Sequence, residues 1–258
     1  MTGVFFPPPC KLPLYEQGGA VEMRRRCLLL LGLLAALLSG CAPGGPAAET
    51  GGDAEIPAEK LIAITFDDGP RRETTEQLLD GLLERNAKAT FFVIGKQIAG
   101  NEDLVERMQA EGHQVGSHTW SHVRLTGLAA DALQQEVGRT EAALEEVLGQ
   151  GSYWLRPPYG AVDAADKVLI QTPMIKWSID PRDWEKLDTA KVTAAVLEAA
   201  APNQIILLHD IYPTSVDAAL EIVDTLQAEG YRFVTVEELL EANGIQPEAG
   251  VLYCSGDL

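Results

Sequence analysis

From Lys60 onward the chain alternates short runs rich in β-branched and aromatic residues with longer segments in which Leu, Val and Ile recur at helical spacing. Such alternation folds as a parallel sheet or barrel wrapped by helices. Seven runs read as strands, at residues 61–66, 90–93, 113–115, 153–156, 174–177, 205–208 and 232–235. Between them, residues 75–84, 103–111, 128–148, 189–200 and 215–229 read as helices. No internal repeat is visible. With 258 residues, 46% of them hydrophobic, the chain can bury the core of one large α/β domain or of two small ones.

The reactive side chains are not scattered over this pattern. Asp67 and Asp68 follow the first strand, His118 and His122 the third, Arg156 ends the fourth, Asp180 and Asp183 follow the fifth, and His209 follows the sixth. All lie at C-terminal strand ends, where parallel barrels and open α/β sheets assemble their active sites. The formal charge of −18, from 38 acidic against 20 basic residues, argues against a nucleic-acid partner, because that field repels phosphate.

His118-Thr-Trp-Ser-His122 spaces two imidazoles four apart, on one face if the stretch is a helical turn, which is a metal-ligand spacing. Asp67-Asp68 supplies a carboxylate as third ligand. Two histidines and one carboxylate leave open positions on Zn²⁺ or a similar divalent ion, as a catalytic site needs.

Five segments in order, Thr65-Phe-Asp-Asp-Gly-Pro70, His118-Thr-Trp-Ser-His122, Arg156-Pro-Pro-Tyr-Gly160, Asp180-Pro-Arg-Asp-Trp184 and Leu207-Leu-His-Asp210, resemble the motifs of the polysaccharide deacetylases, carbohydrate esterase family 4, which include peptidoglycan N-acetylglucosamine deacetylases. The resemblance covers residues 60–242. It implies a distorted (β/α)7 barrel with one divalent metal, zinc or cobalt, in a surface groove. It makes Asp68, His118 and His122 the metal ligands and Asp67 the base that takes a proton from the attacking water. The backbone N–H of Tyr159 would stabilise the oxyanion, and His209 would protonate the departing sugar amine. Arg156 would hold Asp67 ionised, and Asp183 would orient and charge-balance His209.

Other residues carry two readings. Leu207 could line the pocket for the acetyl methyl or end an apolar strand, and Trp184 could wall the groove or belong to the core. Trp120, Trp154 and Trp177 read as core, and His113 as a structural histidine. Gly69-Pro70 and Pro157-Pro158 set the backbone around the ligands.

Ahead of the domain, Arg24-Arg-Arg26 precedes a twelve-residue apolar run and then Leu38-Ser-Gly-Cys41. A bilayer-spanning helix needs about 20 residues, so the run reads as an export signal rather than a permanent span. Its ending resembles a bacterial lipobox, which implies cleavage before Cys41 and lipid on its sulfur and new amino terminus, with an ordinary secretory signal as the alternative. Residues 1–40 are thus expected to be leader and signal peptide, with Met23 a candidate start. Residues 41–59 would be a lipidated tether, 60–242 the catalytic domain and 243–258 a tail. Removing residues 1–40 takes away four basic and two acidic residues, leaving a charge of −20. The four cysteines, Cys10, Cys27, Cys41 and Cys254, show no readable disulfide framework.

The expected function is removal of N-acetyl groups from N-acetylglucosamine or N-acetylmuramic acid units of a surface polysaccharide, foremost peptidoglycan, by an exported enzyme on the outer face of the cytoplasmic membrane or in the periplasm. Chitin-like or biofilm glucosamine polymers and acetylated xylan are alternative substrates. An inactive carbohydrate-binding domain would have lost a ligand, the base or the acid, and none is missing. A phosphate or two-metal hydrolase would show further ligands or a basic cluster, and the motifs show neither beyond Arg156 and Arg182. No obligate protein partner is evident.

Overall fold

A computed structural model of the chain describes residues 59–257. The leader, Cys41 and the tether up to residue 58 lie outside the described residues. Among the described residues no helix is long and apolar enough to cross a membrane.

The element order is β1 (Lys60–Asp67), α1 (Arg72–Glu84), β2 (Thr90–Val93), α2 (Gly95–Ile98), α3 (Glu102–Ala110), β3 (Gln114–Ser117), α4 (Ala130–Leu148), a 3₁₀ turn (Pro158–Gly160), α5 (Ala164–Leu169), β4 (Met174–Ile175), α6 (Asp183–Lys186), α7 (Thr189–Ala199), β5 (Ile205–His209), α8 (Pro213–Ala228), β6 (Tyr231–Phe233), α9 (Val236–Ala242) and β7 (Leu252–Tyr253). Strands β3, β2, β1 and β5 are neighbours in that order, all parallel, and β6 also pairs with β1. Single parallel bridges continue the ring, from Ser117 to Leu155, from Leu155 to Met174, and from Ile179 to Ile206 of β5. The result is a distorted (β/α)7 barrel, closed on one side by single bridges.

The strand expected at 153–156 shrinks to the one bridging residue Leu155, because Pro157 and Pro158 have no N–H to extend a ladder. The run at 174–177 stops as β4 at Ile175, and the Lys176 carbonyl accepts from Arg156 instead of a strand neighbour. Nor is the stretch from His118 to His122 a helical turn; it is an irregular loop with Thr119 and His122 at positive φ. Residues 243–258, expected as a tail, are largely built into the fold: β7 pairs with β4, Gly256 donates to the Asn203 carbonyl, and Ile245 is buried.

Side chains alternate along each strand, and the alternation separates packing from chemistry. Outward-facing Ile62, Ile64 and Phe66 of β1, Phe91 and Val93 of β2, and Ile206 and Leu208 of β5 form the main core. They pack with Leu78, Leu79 and Leu82 of α1, Met108 of α3 and Ile222 of α8. Each such side chain contributes about 1.5–3 kcal/mol by leaving water. The other face of β1 begins apolar at Leu61 and Ala63, which join Phe92, Trp154, Ile175 and Ile205 in a second cluster. It ends polar at Thr65 and Asp67. Period two therefore brings Asp67 to the barrel mouth on the interior face, with the main core insulated behind it.

Candidate active site

Asp68, His118 and His122 each present one ligand atom within 4.8 Å of the others. The Asp68 Oδ1 atom lies 3.6 Å from His118 Nε2 and 3.4 Å from His122 Nε2. That oxygen is buried and has no hydrogen-bond partner, a costly state for a carboxylate unless a cation completes it. His118 Nδ1 is 2.7 Å from the Arg156 carbonyl, so Nδ1–H donates there and Nε2 keeps its lone pair toward the site. Burial lowers the His118 pKa, against the opposing charges of Asp67 and Asp68, and favours the neutral imidazole that a metal requires. The donor set fits a divalent ion of the zinc type.

The backbone is bent to make this triad. Asp68, Thr119, His122, Tyr159 and Arg182 all have positive φ, a conformation that L residues rarely hold, and all lie in or beside the motifs. Asp68 can turn away from Asp67 because Gly69 lets the chain pass against Asp210. A Cβ at Gly69 would collide with the Asp210 carboxyl.

Asp67 is buried, and its Oδ1 accepts from Arg156 Nη1 at 2.7 Å, leaving Oδ2 3.6 Å from His118 Nε2. Arg156 has no exposed surface. Its Nη1 also bonds Thr65 Oγ1 at 2.7 Å, its Nη2 donates to the Lys176 carbonyl at 2.8 Å, and its guanidinium lies 4.1 Å above the Phe92 ring. One residue thus braces Asp67 through its side chain and His118 through its carbonyl.

On the neighbouring strand His209 ends β5, and its register partner on β1 is Asp67. Asp183, fully buried at the start of α6, holds it twice: Oδ1 is 2.8 Å from His209 Nδ1, and Oδ2 accepts the His209 backbone N–H at 2.8 Å. Ser215 Oγ donates to the same Oδ2 at 2.6 Å. Burial alone would lower the His209 pKa, but the hydrogen bond and charge of Asp183, with the charges of Asp67 and Asp68, outweigh it and push the value up to about 9. His209 Nε2 faces the triad, 4.0 Å from Asp68 Oδ2.

Tyr159 sits on the 3₁₀ turn with its ring exposed and 4.9 Å from that of His122. The N–H groups of Gly160 and Ala161 close this turn onto Pro157 and Pro158, while that of Tyr159 bonds to no acceptor among the described residues. Leu207 is buried on the same face of β5 as His209. Trp184 follows Asp183 in α6 and is 46% exposed, so it is not a core residue. Trp154 is buried as expected of core, whereas Trp120 is half-exposed with the Arg139 guanidinium 4.0 Å from its ring. His113 is structural: it is buried, its Nδ1 accepts from the Ala89 N–H at 3.1 Å, and burial first, then Arg107 and Lys88, lower its pKa to about 4.

Among the supports, Thr65 and Asp210 stand in the motif segments without a role read for them, and Ser215 and Thr75 were not anticipated. Asp210 is buried beneath Gly69 with Thr75 Oγ1 donating to it, and burial, opposed by that hydrogen bond, raises its carboxyl pKa to about 7. Its place immediately after His209 was the one available signal.

The polysaccharide deacetylase family model matches residues 54–172. A family 4 acetyl xylan esterase from Clostridium thermocellum, solved with a cobalt ion, superposes with a TM-score of 0.74 at 30% identity, over 77% of this chain and 100% of that one. The chain belongs to the polysaccharide deacetylases of carbohydrate esterase family 4. The peptidoglycan-N-acetylglucosamine deacetylase PgdA of Listeria monocytogenes is 40% identical over 188 residues, 72% of this chain and 40% of that protein. The peptidoglycan-N-acetylmuramic acid deacetylase PdaC of Bacillus subtilis is 38% identical over 185 residues, again 72% of this chain and 40% of that protein. The chain therefore spans less than half the length of these curated relatives.

Proposed function

We propose that this protein removes acetyl groups from N-acetylglucosamine or N-acetylmuramic acid units of peptidoglycan. The reading is carried by two buried assemblies beside the triad, Arg156–Asp67 at the end of β1 and Asp183–His209 at the end of the neighbouring β5, which pair a base with an acid as amide hydrolysis requires. Asp68, His118 and His122 would hold one divalent ion, zinc by donor type, which when bound acidifies water and polarises the acetamide carbonyl.

The chain's own groups do the rest. Asp67 Oδ2 takes the proton of the attacking water, and the Arg156 guanidinium keeps Asp67 ionised until that moment. As the acetamide carbon becomes tetrahedral, the Tyr159 N–H donates to the developing oxyanion, a contribution of about 3 kcal/mol for one such donor. The C–N bond then breaks with its electron pair on nitrogen, and His209 Nε2 delivers the proton that lets the sugar amine leave. Asp183 holds the ring through Nδ1–H and balances its charge. Leu207 walls the acetyl methyl and the exposed Trp184 offers a face to a sugar ring.

The catalytic unit, residues 60–242 with the C-terminal segment packed on it, acts outside the cell at the end of a short tether lipidated at Cys41. That supplies a membrane attachment without a span, and peptidoglycan is the first N-acetylated polymer within reach. Mass spectrometry of wall fragments from cells with and without the protein tests the substrate. The expected loss is about 42 mass units for each acetyl replaced by hydrogen on glucosamine or muramic acid; identical fragments contradict it. Cys41→Ser is expected to abolish lipid labelling and leave unprocessed precursor; unchanged labelling contradicts the anchor.

A further inference from the structure

We infer that the groove beside the candidate metal centre binds a carboxylate carried by the substrate glycan, and that Arg71 is its partner. The inference rests on the deacetylase reading and specifies which glycans the site prefers. A groove of about 450 Å³ opens directly on Asp68 and His122, so its occupant lies beside the reacting acetamide. Its other walls are Arg71 and Arg72 from the start of α1, Ile94 and Gln97 from the β2–α2 segment, and Ile211 after β5.

In a chain with a formal charge of −18, this groove is lined by two arginines and by no carboxylate except Asp68. The two arginines differ in what they are free to do. Arg72 is bidentate to Asp103, at 2.7 and 2.6 Å, and also bonds the Gly100 carbonyl, so its charge is already matched. Arg71 has no carboxylate partner among the described residues, and its side chain makes one hydrogen bond, from Nη1 to the Ile211 carbonyl at 3.2 Å. Its backbone N–H is fixed on the buried Thr75 Oγ1 at 2.8 Å. The guanidinium is thus tethered at the groove lip with donors remaining for an oxyanion in the planar geometry that suits a carboxylate.

A neutral N-acetylglucosamine polymer gives such a cation nothing to pair with. A sugar bearing a lactyl ether that carries no stem peptide does, because the ether sits on the carbon next to the acetamido carbon and ends in a free carboxylate beside a methyl, so the preference is for peptide-free glycan strands. Arg71 meets the carboxylate, and Ile94 and Ile211 offer apolar surface to the methyl. The same chemistry is available from the reacting sugar itself or from its neighbour along an alternating glycan.

The test uses the zinc-loaded full chain, Arg71→Ala and Arg71→Lys, an alternating N-acetylglucosamine–N-acetylmuramic acid tetrasaccharide with free lactyl carboxylates, and its methyl ester. Acetate release gives kcat/KM for each glycan, and calorimetry on the deacetylated pair gives affinity independently of turnover. The expected result is a preference for the acid over the ester of roughly tenfold or more, lost in Arg71→Ala, partly kept in Arg71→Lys, and weakened by salt. No preference in the parent protein, or the same preference in Arg71→Ala, overturns the inference. Absence of acetate from both glycans sinks the deacetylase reading instead, while the calorimetric preference still decides whether Arg71 binds the carboxylate. Mass spectrometry separates the two sources: acetyl loss from the muramic unit assigns the carboxylate to the reacting sugar, and loss from the glucosamine unit assigns it to the neighbour.

Discussion

Replacing Asp183 by Asn keeps the size of the side chain that holds His209 but removes its charge, and the consequence should depend on pH in a calculable way. His209 stands at about 9 because Asp183, with Asp67 and Asp68, overcomes a burial that by itself lowers it. Without the Asp183 charge the raising influence is largely gone, and the imidazole returns to its ordinary value of about 6.5 or below. A general acid works only while protonated, so activity supported by His209 is present below its pKa and lost as pH rises through it. At pH 6 the protonated fraction falls only from about 1.0 to about 0.8, but at pH 8 it falls from about 0.9 to about 0.03, a further loss of about thirtyfold. A cation bound at Asp68 lowers both pKa values together and leaves their separation. The assay is kcat/KM for acetate release from an N-acetylglucosamine oligomer between pH 5.5 and 9.5, with thermal melts at each pH as a folding control. An alkaline limb displaced toward acid by about two units or more is expected. A defect of constant size from pH 6 to pH 8 would refute the assignment of Asp183 as the group that keeps His209 protonated.

Asp67→Asn is expected to retain metal while losing about 10²–10⁴-fold in turnover, read by metal analysis and acetate release, since it deletes a base without deleting a ligand. An empty site in that variant would reverse the roles of Asp67 and Asp68. Arg156→Ala strands a buried carboxylate, so a loss of about 3–5 kcal/mol in unfolding free energy is expected from denaturant titration, and a loss under about 1 kcal/mol contradicts the buried pairing. His209→Ala and Asp183→Ala should each impair amide hydrolysis severely, with the double variant little worse than His209→Ala. Both should be hurt less on an aryl acetate, whose phenolate leaves unprotonated; equal losses on the two substrates move His209 out of the acid role.

Much of this is legible in the sequence. Short runs rich in β-branched and aromatic residues marked β1, β2 and β5, and the strand-end rule gathered Asp67, Asp68, His118, His122 and His209 around one mouth. What stayed hidden depended on contacts made through the backbone or over long sequence separations. The His118–His122 spacing pointed to a helix, yet the rings meet because Thr119 and His122 adopt positive φ, a choice that the packing around the loop enforces and no propensity encodes. Leu155 is too short a strand to carry a pattern, and its place in the ring depends on Ser117 and Met174. Likewise β7 is two residues long, and only pairing with β4 distinguishes it from a tail. Ser215 and Thr75 are ordinary helix residues in sequence; burial next to Asp183 and Asp210 makes them part of the site.

The central claim is that the Asp68–His118–His122 centre hydrolyses an N-acetyl group, and it is tested most directly by counting two products together. Purified protein, stripped of metal and then reloaded with zinc or cobalt, is given an N-acetylglucosamine oligomer, and released acetate and newly exposed primary amine are measured in the same reaction. The account predicts no product without metal and equal amounts of acetate and amine on reloading, with about one ion bound per chain. Full activity in the stripped protein, or no acetate from the reloaded one, would contradict it.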